Sequence, residues 1–306
     1  MKNLQQNRSP LGIISGVSAY LIWGLSPVYW NLLQQTPALE IISHRIVWSF
    51  FLLIALTILL KQSIHFLRVF QNPKMILIML ITSILISINW LTYIWAVNNG
   101  FILQASLGYY INPLVNVVLG VVFLKERLRR LQLVAVLLAF AGVIYLTVFY
   151  NTFPWVSLTL AFSFGFYGLI RKMAPIGALV GLTVETMAVS IPASLFLFYL
   201  HAQGNGSFGN IDYQTDSLLV GASVVTALPL LLFNLAGKRL MLATLGFLQY
   251  LAPTCMFLIG TFLWGQEIVT AQLICFAFIW LALLLYSMDS LFFLRLHSER
   301  KLAANN

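Results

Sequence analysis

The sequence predicts an all-α membrane protein: ten transmembrane helices built as two inverted five-helix repeats, both termini cytoplasmic. Three observations predict it. Of 306 residues, 60% are hydrophobic and 8% are charged, against about 25% charged in soluble domains. Apolar runs near 20 residues, the length that crosses a bilayer, recur along the whole chain. The cations fall in every second connection between those runs.

The ten runs cover residues 11–33, 39–60, 74–98, 101–124, 131–149, 154–172, 178–200, 217–237, 241–264 and 268–292. None shows the strict two-residue alternation of a membrane barrel strand, and a helix satisfies its own backbone in lipid. The stretch before the first run, MKNLQQNRSP, is charged like a signal peptide. The run that follows exceeds 20 residues and has no small-x-small cleavage site, so it reads as a retained helix. Its Gly12-x-x-x-Gly16 lets helices approach closely, either inside the bundle or in a homodimer. The two cysteines, Cys255 and Cys275, lie in spans without partners for a disulfide or metal and read as apolar filler.

A net charge of +9 would suit nucleic acid, but its placement does not. Lys2 and Arg8 precede the first run. Lys61, Arg68 and Lys74, then Lys125, Arg127, Arg129 and Arg130, then Arg171 and Lys172, then Lys238 and Arg239 sit in alternate connections. Arg295, Arg300 and Lys301 form the tail. The connections between contain no Lys or Arg. The positive-inside rule puts the basic side in the cytoplasm. Of the 17 Lys and Arg residues, 16 obey this pattern and the exception is Arg45. The long loop HAQGNGSFGNIDYQTD carries a sequon at Asn205, which matters only in a secretory-pathway organism.

The chain repeats itself. ASLG at 105–108 returns as ATLG at 243–246, each followed by aromatics and a proline, Pro113 and Pro253. Gly120 and Gly260 follow seven residues after each proline, and Gln132 and Gln272 keep the offset; AYLIWGL matches SFGFYGL through Gly24 and Gly168. Five helices per half, 1–150 and 151–306, make the second copy enter the membrane inverted, an arrangement of transporters with a midplane site.

SAYLIWGLSPVYW, EIISHRIVWS, NWLTYIWAVNNG, ASLGYYINPLVNVVLG, FLKER and LGFLQYLAPT together resemble the RarD-type permeases, in the EamA branch of the drug/metabolite transporter superfamily, over about residues 11 to 290. The resemblance implies a ten-helix inner-membrane permease of the "chloramphenicol-sensitive protein" type. The superfamily's proline and following glutamate fall on Pro113 and Glu126. In the second half Glu267 stands one position later than the repeat requires.

Candidate pathway residues follow from polar groups inside runs. Glu40 and His44 share a helix face, with Arg45 one step around and roughly 10 Å below the exterior boundary. The three either line the exterior half of a pathway or clamp the structure near the headgroups. Glu185 is the one carboxylate of the seventh run; it either carries a proton or pairs with Arg171 or Lys172. Asn89 and Tyr93 share a face of the third run. Tyr109, Tyr110 and Asn112 lie between Gly108 and Pro113, and Gln249 and Tyr250 between Gly246 and Pro253, at kinks that free backbone carbonyls. Trp23 and Tyr167 are matched by the repeat and are weaker candidates. Amides with aromatics suit a planar or amphipathic organic solute.

No Walker A, HExxH or GxSxG motif occurs, so no cofactor, metal or enzymatic role is expected. The expected function is a secondary transporter moving a small organic metabolite or drug by alternating access, around a cavity lined by spans 1, 3, 4, 6, 8 and 9. Its partners are the solute and the lipid bilayer, with no nucleic acid. The export direction comes from the resemblance alone. An intramembrane enzyme and a non-transporting membrane assembly protein are the alternatives.

Overall fold

The computed structural model describes residues 9–305 except 152 and 268, and the side chains only to residue 289. Lys2, Arg8 and the side chains of Arg295, His297, Arg300 and Lys301 lie outside the described residues.

Every run is a helix. α1 spans Pro10–Asn31, α2 Ala38–Leu59, the short α3 Ser63–Phe70, α4 Pro73–Asn98, α5 Ile102–Leu124 and α6 Arg130–Tyr150. In the second half α7 spans Trp155–Met173, α8 Ala178–Ala202, α9 Tyr213–Arg239, α10 Leu242–Gln249, α11 Leu251–Leu258 and α12 Thr270–Asn305. Helix starts are chemically marked. Ser9 caps α1 ahead of Pro10, Asn72 caps α4 ahead of Pro73, and Asp212 caps α9, each side-chain oxygen accepting an otherwise unpaired N–H.

Among the described residues nine helices are long and apolar enough to cross a membrane, the α10–α11 run Leu242–Leu263 counting as one. The remaining expected span, α7, is not among them: it is 19 residues long and carries Ser157, Ser163, Tyr167 and Arg171 on its buried face. Outward faces carry large apolar groups such as Leu25, Phe51, Leu77, Val122 and Phe198. In water so much exposed apolar surface would aggregate; against acyl chains it is the stable surface.

The helices pack in recurring pairs: α1 on α9 and α11, α7 on α4 and α5, α2 on α8 and α9, α6 on α12, and α10 on α5. The first helix uses its small stripe here. A side chain at Gly12 would meet Arg239 and Leu240, and one at Gly16 would meet Leu248, so this motif serves the bundle interior.

Basic connections gather at one end. Lys172 Nζ donates to the carbonyls of Gly237 (2.8 Å) and Leu240, while Lys238 Nζ donates to Ala174. Each lysine thus covers the carbonyl end of its neighbour's helix. Val69 and Met79 pack on Ala174, Ile176 and Val180 at the same end. At the opposite, cation-free end, Tyr29 donates to the carbonyl of Leu218, and Trp95 packs between Phe101 and Trp155. One assignment fails: Arg171, expected in a basic connection, is 1% exposed inside α7.

Candidate functional site

Arg45 parts company with Glu40 and His44. One residue rotates about 100° around a helix, which turns its side chain to the other flank of α2. Its guanidinium lies over Trp30 of α1 (5.2 Å to the ring centroid) and Trp90 of α4 (4.9 Å). The Tyr93 and Tyr109 hydroxyls approach it and pair with each other. Nε is buried without a hydrogen-bond partner. Tyr109 also lines a cavity of about 170 Å³ with Ser106, Met256, Phe257, Thr261 and Glu267, near the cation-free face.

Glu40 and His44 form a clamp. Glu40 is 1% exposed and accepts from the Ser207 N–H (2.6 Å) and hydroxyl (2.8 Å). His44 Nε2 lies 3.8 Å from Glu40, and its ring stacks on Phe208. These contacts fasten the loop between α8 and α9 onto α2. They also occupy the hydroxyl of the Asn205 sequon.

Beneath Trp90 a slot of about 10 Å³ runs between the halves, lined by Ile46, Ile86, Leu182, Thr186 and Leu230. That is scarcely room for one water. At its floor stand Tyr167 and Glu185. Glu185 Oε1 lies 3.4 Å from Arg171 Nε, with both side chains nearly inaccessible. Tyr167 donates to Glu185 Oε2 (3.2 Å) and accepts from Asn234 Nδ2 (3.0 Å). Arg171 Nε donates to Asn234 Oδ1 (3.1 Å), and another guanidinium nitrogen to the Ala178 carbonyl (3.1 Å). Glu185 is therefore a paired carboxylate, and this network closes the basic side of the slot. The slot is lined from α2, α4, α7, α8 and α9, that is spans 2, 3, 6, 7 and 8, where spans 1, 3, 4, 6, 8 and 9 were expected; spans 4 and 9 line the larger cavity.

Spans 4 and 9 cross instead at their kinks. Gly246 fits against the Pro113 carbonyl, where a Cβ would come within 2.7 Å. Asn116 bridges the crossing, donating to Asn112 Oδ1 (3.1 Å) and Gln249 Oε1 (3.0 Å), while Asn112 donates to the Ala161 carbonyl (3.1 Å). Tyr250 donates to the Tyr110 carbonyl (3.2 Å). Asn112, Gln249 and Tyr250 are thereby buried in helix packing, and Tyr110 packs edge-on against Phe276. Of that set Tyr109 and Tyr110 line the main cavity, and Tyr109 also approaches Arg45. Gly108 seats α5 against Leu160 of α7. Pro253 lines the cavity, and the helix breaks at Tyr250, between α10 and α11. Asn89 ties α4 to the Leu160 carbonyl and Ser163 of α7. Trp23 packs among Tyr20, Phe164 and Phe233. The sequence reading missed Asn116, although it stands four residues from Asn112 on the same helix face.

Two turns share one geometry. After Gly120 the chain passes Lys125 in the left-handed region (φ 54°), and the Glu126 N–H returns to the Gly120 carbonyl at 3.0 Å. After Gly260 it passes Gly265 (φ 61°), and the Gln266 N–H returns to the Gly260 carbonyl at 2.9 Å. A Cβ on either glycine would sit 2.5 or 2.6 Å from the carboxylate or amide oxygen. Gln266, not Glu267, is the counterpart of Glu126. Glu126 is buried and accepts from the Leu242 and Ala243 N–H groups (2.7 and 3.0 Å) at the start of α10. Burial raises its carboxyl above the ordinary value, against the pull of those donors. Gln266 is exposed.

Residues 10–148 match the model of the EamA-like transporter family. The chain is 42% identical over 281 residues to Protein RarD of Escherichia coli (strain K12), covering 92% of this chain and 95% of that one. It is 49% identical to the uncharacterized transporter YojE of Bacillus subtilis (93% and 96% covered) and 30% identical to the chloramphenicol-sensitive protein RarD of Pseudomonas aeruginosa (94% and 97%). A crystal structure of a protein 17% identical superposes with a TM-score of 0.69 over 91% of this chain and 97% of the other, which shows a common fold.

Proposed function

From the premise that this chain belongs to the EamA-like transporter family, in its RarD branch, and is a multi-pass inner-membrane transporter, we propose that it moves a small organic solute by alternating access. Two inverted repeats, 1–150 and 151–306, rock about the slot beneath Trp90, with both termini in the cytoplasm and export as the direction.

One observation carries this reading: the turns Gly120–Glu126 and Gly260–Gln266 are alike in backbone yet differ in docking. Glu126 sits on the start of α10 at the basic face, and that face is sealed. Gln266 stands free beside the open cavity at the other face. In the opposite conformation Gln266 docks on the start of α5, Glu126 leaves α10, and the cavity opens to the basic side. The packing pairs support the repeat. Exchanging the halves turns the contact of α1 with α9 into that of α7 with α4, and α1 with α11 into α7 with α5. The α2–α8 and α6–α12 pairs map onto themselves.

Coupling to protons fits Glu185. Its partner Arg171 lies in the same repeat, so a shift of α7 against α8 during the rocking is what parts the pair, and an unpaired buried carboxylate takes up a proton.

Single cysteines test the cycle, on a chain with Cys255 and Cys275 replaced by alanine. A cysteine at Tyr109 is expected to label from the cation-free face. One at Thr186 is expected to label from either face as solute is added. Labelling of Thr186→Cys from one face only, under active solute flux, would remove alternating access. A pH gradient across proteoliposomes that leaves the flux unchanged would remove the proton step.

A further inference from the structure

We propose that Arg45 is the anchor of an organic-anion subsite, and that the solute carries one carboxylate, sulfonate or phosphate on a flat apolar ring. This rests on the transport reading above and names the chemistry of its solute.

The charge has no ion-pair partner among the described residues. A guanidinium inside a membrane span is costly, and such groups normally pair with an anion or with backbone carbonyls. Arg45 does not. Around it stand Trp30 from α1, Trp90 and Tyr93 from α4, and Tyr109 from α5, all without formal charge. On its own helix Glu40 is turned away to Ser207, and His44 lies against Phe208. The cavity's carboxylate, Glu267, is exposed and makes no ion pair with Arg45.

Aromatic faces hold a cation in place while leaving its N–H edge free. Nε is buried with no acceptor, so the fork that grips a carboxylate or sulfonate is unfilled. A structural guanidinium would be expected to spend its donors on carbonyls, as Arg171 does 3.1 Å from Ala178. Tyr93 and Tyr109, hydrogen-bonded to each other, leave one hydroxyl donor beside it. Tyr109, which approaches Arg45, also lines a space of about 170 Å³, against the roughly 150 Å³ that admits one benzene ring. Tyr109, Phe257 and Met256 supply its apolar wall.

The test uses matched probes on the purified full chain: benzenesulfonate, and benzenesulfonamide, which keeps the ring and lacks the charge. Calorimetric titration in maltoside detergent is expected to show the sulfonate binding at least tenfold tighter. Arg45→Gln is expected to abolish that difference, and Arg45→Lys to retain part of it. Equal affinities in the unaltered chain, no binding of either probe, or a preference that survives Arg45→Gln would each overturn the subsite. Should Arg45→Gln not fold, protection of Arg45 from phenylglyoxal by the sulfonate serves in its place, and absence of protection overturns the proposal. Short-chain phosphatidylglycerol tests the other source of such an anion. Displacement of the sulfonate at comparable affinity would make this a lipid headgroup site and end the solute reading. Sulfonate-loaded proteoliposomes separate the two proposals. Arg45-dependent binding without release keeps the subsite and removes transport. Release of solutes with no preference for the sulfonate removes the subsite and keeps transport.

Discussion

Arg171 and Glu185 lie 3.4 Å apart with side chains 1% and 2% exposed, a salt bridge sealed between α7 and α8 and joined to Asn234 of α9. Removing one partner of such a pair strands the other charge. Glu185→Gln is expected to cost about 3–5 kcal/mol. Arg171→Met with Glu185→Leu should recover more than half of that. Denaturant unfolding in detergent micelles reads both. A double variant no better than the single would show that the charges do not act as a pair.

Gly181 makes room for that guanidinium. A Cβ there would lie 2.6 Å from Arg171 Cζ and overlap a terminal nitrogen. Gly181→Ala is expected to destabilise by about 3 kcal/mol or more, through the same lost pair. Adding Arg171→Met to it should restore part of the loss, measured in the same unfolding series.

The equivalent turns are expected to respond unequally. Gly120→Ala drives Glu126 off α10 and forfeits hydrogen bonds to a charged group, each worth about 1.5–3 kcal/mol. Gly260→Ala meets only the free amide of Gln266, so its cost should stay within about 0.5 kcal/mol. Equal losses would mean that the two turns are loaded alike.

Docking of Glu126 should depend on pH. Burial raises its carboxyl when docked, so the docked form binds a proton more tightly than the released form. Docking is then fully favoured below the released group's ordinary value and weakens as pH rises through the docked one. Hydrogen exchange at the Leu242 and Ala243 amides, corrected for intrinsic rate, should slow on acidification across that window. In Glu126→Gln the corrected rate should not change with pH.

Glu40 should matter for the loop rather than for the solute. Glu40→Ala leaves the Ser207 N–H without its 2.6 Å acceptor, a loss of about 1.5–3 kcal/mol. Protease nicking within residues 203–212 is expected to speed up at least tenfold. Flux in proteoliposomes should change less than twofold, and a large loss of flux with an intact loop would reverse this assignment.

Much of this was written in one dimension. Apolar length gave the long helices but not α3, and Ser9, Asn72 and Asp212 mark starts through a local side chain bonding its own backbone. The basic connections meet at one end, as their alternation required. What escaped was contact at a distance. Arg171 looks like a loop cation because nothing near it in sequence reveals the gap at Gly181 or the amide of Asn234. Glu267 drew the eye by its charge, while backbone turn geometry selects Gln266. Glu40 and Arg45 look like one cluster until a helical rotation parts them. Asn116 shares a helix face with Asn112, but its bond to Gln249 appears only when α10 crosses α5.

The modest apolarity of α7 bears on how the chain is made. A segment carrying Arg171 and Lys172 at its end, and hydroxyls along its length, partitions weakly into lipid by itself. Its first docking surfaces, α4 and α5, leave the ribosome before it, whereas Asn234 arrives some 60 residues later. Integration of this segment is then expected to be posted late and in company. A nascent chain halted after Met173 should leave it reachable from the aqueous side, and extension past Arg239 should draw it in.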